Sequence, residues 1–201
     1  MWLELSHLIV WPAKHVIKEN LPLCFKRFYP HVRCIIDCTE VLIETPSSLD
    51  TQAQCWSDYK HHCTLKFLVA ITPNGMFYYV SPCYGERASD KFIFNNCAFV
   101  SRLEPNDQVM AERGFKVKED LMVVQARLAI PPSTCGNLAM SSGDVSETSK
   151  IANVRIYVEQ TIGRLKTFRF LKNEIPISCL PVCDNSVVVC CSVCNLLDPL
   201  C

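Results

Sequence analysis

The sequence carries no net charge: 20 lysines and arginines balance 20 aspartates and glutamates. That excludes a protein that grips nucleic acid over its whole surface, although a local basic track is still compatible with it. No apolar run approaches the roughly 18 residues that span a bilayer. The first residues, MWLELSHLIVWPAKHV, lack the basic start and the small-residue cleavage site of a secretory signal. The expectation is therefore a protein of the nucleus or cytoplasm, neither secreted nor membrane-bound. Internal repeats and low-complexity tracts are missing too. The 201 residues, 49% hydrophobic and 20% charged, instead fit one globular domain with a real core.

The 14 cysteines are expected to stay reduced, and most read as small buried hydrophobes. The C-terminal group, Cys179, Cys183, Cys190, Cys191, Cys194 and Cys201, leaves two readings open. The two-residue gap between Cys191 and Cys194 occurs in zinc sites. The surrounding string SVVVCCSVCNLL is apolar and favours core packing.

Residues 1–30 read as a helical segment broken by Pro12, Pro22 and Pro30. Residues 32–44, VRCIIDCTEVLIE, read as a strand or a bulged strand, and residues 45–63 as a polar loop. KFLVAIT and MFYYVSP read as two strands, with the Asn74-Gly75 pair between them marking a hairpin. A helix capped by Ser89 follows. DQVMAERGF predicts a short strand ending in a turn at Gly114. Residues 116–148 read as an irregular, flexible insertion, and residues 149–172 as a basic helix. Periodicity does not decide whether 185–198 is helix or strand. The order suits an α/β fold, a mixed sheet flanked by helices.

Three acidic residues stand out. Asp37 follows Cys34, Ile35 and Ile36, and Glu112 follows Val109, Met110 and Ala111. A carboxylate on a buried strand is costly unless it is paired or metal-bound. Glu159 lies in the basic helix, where Arg155, Glu159 and Lys166 fall within about 40° of one another around the helix axis. Between Lys150 and Lys172 there are six bases, Arg164 among them, against that single acid. A helix of this kind suits a phosphate backbone. Carboxylates delivered from two strands and a helix suit a hard cation such as Mg²⁺. Two such cations about 4 Å apart clamp a phosphodiester for in-line attack.

The strings IIDCTEV, QCWSDYKHH, VSPCYGERASDK, DQVMAERGF and IANVRIYVEQTIGRLKTFR, in this order, resemble the DDE-superfamily endonuclease domain of PIF/Harbinger-like transposases, in its animal branch. The likeness runs from about Leu21 to about Pro199, nearly the whole chain. It implies an RNase H-like mixed five-stranded sheet flanked by helices over residues 31–201. It also implies a catalytic triad of Asp37, Glu112 and Glu159 that binds Mg²⁺ or Mn²⁺, with Asp90 as a further metal-site acid. Arg155, Arg164 and Lys166 are the implied phosphate contacts, on a basic helix over 150–172 that binds DNA weakly.

The chain departs from the family pattern in three places: Glu112 where ADRGF is usual, YGER where a second glycine is usual, and VEQ, with Gln160, where VER is usual. The extra methylene at Glu112 shifts its carboxylate by roughly 1 Å, a displacement that costs about a hundredfold in rate. Residues 1–30 are too few for an added helix-turn-helix, so a nuclease core alone is expected, with a homo-oligomer or a separate DNA-binding partner supplying the rest. Two readings compete with an active or impaired nuclease. One is a catalytically dead transposase core that binds metal or DNA as an interaction module. The other is a cysteine-rich zinc protein.

Overall fold

The computed structural model describes residues 2–112, 114–130 and 157–200. Prolines divide the N-terminal segment into short helices, α1 (Trp2–Leu5), a 3-10 turn (Ser6–Leu8), α2 (Lys14–Glu19) and α3 (Leu23–Phe28). The strand expected at residues 32–44 is β1 (Val32–Leu42), with a register irregularity between Val32 and Cys34. The segment expected to be a polar loop contains a helix, α4 (Leu49–Cys55), and a two-residue strand, β2 (Trp56–Ser57).

The hairpin forms between β3 (His62–Ile71) and β4 (Phe77–Val80). Its Gly75 has φ +89°, and a Cβ there would meet Leu200 Cδ1 at 2.8 Å. Only glycine meets both demands without strain. β5 (Tyr84–Gly85) follows, then α5 (Asp90–Asn96), capped as expected by Ser89 Oγ, which accepts a hydrogen bond from Phe92 N at 3.1 Å. β6 (Gln108–Ala111) ends in a turn closed by Phe115 N donating to Glu112 O at 3.0 Å.

The expected insertion at 116–148 is not irregular where it is described: it begins with α6 (Lys118–Val123) and β7 (Arg127–Ala129). The rest of it lies outside the described residues. The basic helix is α7, over 157–165, and it stops before Lys166. A second short helix, α8 (Arg169–Lys172), takes over. Residues 185–198 prove helical for most of their length, within α9 (Cys183–Cys194).

β1 pairs antiparallel with β3 and parallel with β6, and β6 pairs parallel with β7. β4 lies antiparallel on the other edge of β3. The resulting order, β4-β3-β1-β6-β7, is an RNase H-like mixed sheet flanked by helices. The two-residue strands β2 and β5 also pair with β3, which brings the sheet to seven strands. β1 is central, so Val32, Cys34, Ile35 and Ile36 are all buried rather than alternating.

With the preceding 3-10 turn, the helical run Ile177–Cys194 reaches 18 residues at mean hydropathy 1.7, long and apolar enough to cross a membrane by length and composition. This corrects the expectation that no run approaches that length. In this fold Cys183, Val187, Cys190, Cys191 and Cys194 are buried on α9, which packs on β4 and α1. At its end Asn195 accepts from Phe77 N (2.7 Å) and donates to Phe77 O (2.9 Å) and Leu8 O (3.0 Å).

Buried charge ties the N-terminal segment to the sheet. Arg33 is 3% exposed and Asp107 2%. Arg33 Nε lies 3.7 Å from Asp107 Oδ1, and Lys14 Nζ lies 3.1 Å from the same oxygen. The guanidinium also sits 5.1 Å from the ring centre of Trp11. Asp107 Oδ2 accepts from Glu104 N at 2.7 Å. Removing one partner leaves the other charge buried with less compensation. Arg33→Ala is therefore expected to cost about 3–5 kcal/mol, read as a lowered urea midpoint with an unchanged slope.

Candidate functional site

The ladder between β1 and β6 ends at Ile36 opposite Ala111. The next residues on the two parallel strands are Asp37 and Glu112, at the carboxyl end of the pair. This is where open α/β sheets place their ligands. The Asp37 carboxyl is pushed up to about 7, first by burial, then by the negative charges of Glu112 and Asp90. Cys38 N donates to Asp37 Oδ1 at 2.8 Å, and Lys166 offsets part of the repulsion. Three acids from β1, the end of β6 and the start of α5 thus fall within electrostatic reach of one another.

Asp90 is engaged from the other side. Lys66 Nζ lies 3.6 Å from Asp90 Oδ1 and 3.2 Å from Glu86 Oε1. Burial pulls the Lys66 ammonium down, but Glu86, Asp90 and Glu40 more than reverse this, and its pKa is raised. Burial outweighs the Lys66 hydrogen bond at Glu86, whose carboxyl is raised. Lys66 faces Glu40 directly across the β1–β3 ladder.

Glu159 lies on α7 with its side chain exposed. Lys166, half-buried just past α7, is within reach of Asp37 and Glu40; burial, then Lys60, lowers its pKa. Arg164 donates through Nη1 to Asp198 O at 2.6 Å, and so turns toward the C-terminal segment. Arg155 lies outside the described residues. The structure therefore brings Asp37, Glu112, Asp90 and Lys166 within electrostatic reach of one another.

Lys60 and Tyr59 escaped the sequence reading. They sit at the tip of the β2–β3 hairpin, where Trp56 pairs with Cys63 and Ser57 with His62. Tyr59 is 82% exposed, and Lys60 Nζ lies 4.7 Å from its ring centre. Ser57 Oγ accepts from Lys60 N and donates to Glu40 Oε2, which anchors the tip to β1. The signal was present in the string WSDYKHH, an aromatic beside a cation, but its position next to Lys166 is long-range.

Among the described residues no group of three or more His, Cys, Asp or Glu side chains is arranged to hold a metal ion. This applies to the C-terminal cysteines, whose Cys190, Cys191 and Cys194 are packed in the core. The donor chemistry at Asp37 and Glu112 still fits a hard cation. Both donors are carboxylates, and their mutual repulsion is what a divalent ion relieves.

A central strand bearing a carboxylate of raised pKa beside the glutamate that follows its parallel neighbour, on an RNase H-like sheet, defines a candidate phosphodiester-processing core. A family model described as DDE superfamily endonuclease matches residues 36–195, and the chain belongs to that family. No curated protein and no solved structure matches it significantly.

The raised Asp37 pKa sets a pH dependence. An acid whose folded value, about 7, exceeds its ordinary 3.8 contributes stability that is present below the lower value and lost as pH rises through the upper one. Asp37→Asn escapes that loss. In metal-free buffer the variant is expected to exceed the parent by about 1–3 kcal/mol above neutrality and to match it in acid, as measured by chemical denaturation across pH.

Proposed function

We propose that the chain is a divalent-cation-dependent DNA endonuclease of transposase descent, from the PIF/Harbinger-like animal branch, acting in the nucleus. The observation that carries this reading is the Asp37–Glu112 pair just past the last residues of the β1–β6 ladder, in a chain of the DDE endonuclease family. Asp37 and Glu112 would hold Mg²⁺ or Mn²⁺, with Glu159 completing the triad from α7. The bound cation supplies Lewis acidity at a phosphoryl oxygen. Asp90, paired with Lys66, acts as a support that fixes the electrostatics behind Asp37.

Lys166 and Lys60 form a cationic step beside the acids and neutralise the phosphate backbone. Tyr59 offers an exposed ring on which a base can stack. Substrate is drawn in by these few cations rather than by net charge, so binding is weak and falls steeply with salt. Target selection then rests with a second subunit or a separate DNA-binding partner.

Glu112 sets the rate. Its longer side chain displaces one carboxylate from the position an aspartate would give it. On supercoiled plasmid with Mg²⁺ or Mn²⁺, slow nicking is expected from the parent chain and none from Asp37→Ala. Glu112→Asp should nick about ten- to a hundredfold faster. If the parent and Glu112→Asp are both inert yet bind DNA, the chain is a non-catalytic binding module. In a separate binding series, Lys60→Ala and Lys166→Ala should each lower the slope of log affinity against log salt by about 1.

A further inference from the structure

One cysteine pair stands apart from the acids. Cys83, half-buried just before β5, has its sulfur 3.9 Å from that of Cys183, the buried first residue of α9. The two segments are held in place by a further bond, Cys83 N donating to Asp184 Oδ1 at 2.8 Å. The contact joins residues separated by 100 positions in sequence.

We propose that Cys83 and Cys183 form an oxidisable dithiol, a modification site at which hydrogen peroxide converts two thiols into one disulfide. Two S–H bonds and the peroxide O–O bond break, and one S–S bond forms. Both sulfurs are oxidised, the peroxide oxygens are reduced, and two waters leave with the two thiol protons. The sulfurs must close from 3.9 Å to about 2.0 Å, a shift within the range of side-chain rotation.

Chemistry supports the geometry. The hydrogen bond between the two thiols, with burial, pushes Cys83 up, and the same bond lowers Cys183, so thiolate character falls on Cys183. Cys83 is the more exposed member and offers the oxidant its way in. Other cysteines of α9 are raised by burial, Cys190 and Cys194 to about 11, and are poorer competitors.

The bond would fasten α9 to the strand that enters the acidic cluster. Cys83 is followed by β5, which pairs with Leu65 and Lys66, and then by Glu86, the ion-pair partner of Lys66. Closing so long a loop restricts the unfolded chain strongly.

The test uses the full chain, treated with hydrogen peroxide, alkylated and digested without reductant. A linked Cys83–Cys183 peptide is expected, with a melting temperature raised by about 5 °C or more and restored by dithiothreitol. Cys83→Ser and Cys83→Ala should each lose both the linked peptide and the rise. Links confined to other cysteines, or Cys83 driven to sulfinic acid without a cross-link, would overturn the proposal. So would a rise in melting temperature that survives in both Cys83 variants.

Discussion

Like charge held in a partly buried place constrains this molecule more than any other contact. β1 runs through the centre of the sheet, and its residues from Cys34 to Ile36 are apolar and sealed. At the next position the strand carries a carboxylate, just where its parallel neighbour carries another. Burial and repulsion together hold the Asp37 proton until about neutral pH. A fold selected for stability alone would place a neutral side chain there, and violations of that kind mark the positions where function overrides packing.

The same two strands show the opposite arrangement at their other end. Arg33 near the start of β1 and Asp107 just before β6 are both buried, but they carry opposite signs, and Lys14 joins them. Compensated charge at the entrance of the strand pair fixes the N-terminal segment to the sheet. Like charge at the exit, which Lys166 offsets in part, leaves an attraction for a cation. One ladder thus separates a buried ion pair from a pair of like-charged carboxylates by a few residues.

Local signals in the sequence were enough for much of this. The Asn74-Gly75 turn, the Ser89 cap and the strand before Gly114 each rest on a few adjacent residues with a specific backbone requirement. Asp37 and Glu112 were legible because a charge at the end of an apolar run has few ordinary explanations. α4 was missed because LDTQAQC has no apolar periodicity, and its preceding Ser48 makes no side-chain capping bond. α9 could not be told from a strand because it is apolar on most sides. The Lys66–Glu86–Asp90 ion pairs and the approach of Lys60 to Lys166 join distant segments, and no local pattern announces them.

The amide of Asn195 has a consequence for association. β4 is an outer strand of the sheet, and such a strand normally offers unpaired peptide groups to any passing chain. Asn195 occupies both the N–H and the C=O of Phe77 with one side chain, imitating a neighbouring strand for a single residue. Copies of this protein therefore cannot extend the sheet through that point of β4. Assembly by strand exchange is closed off at that residue.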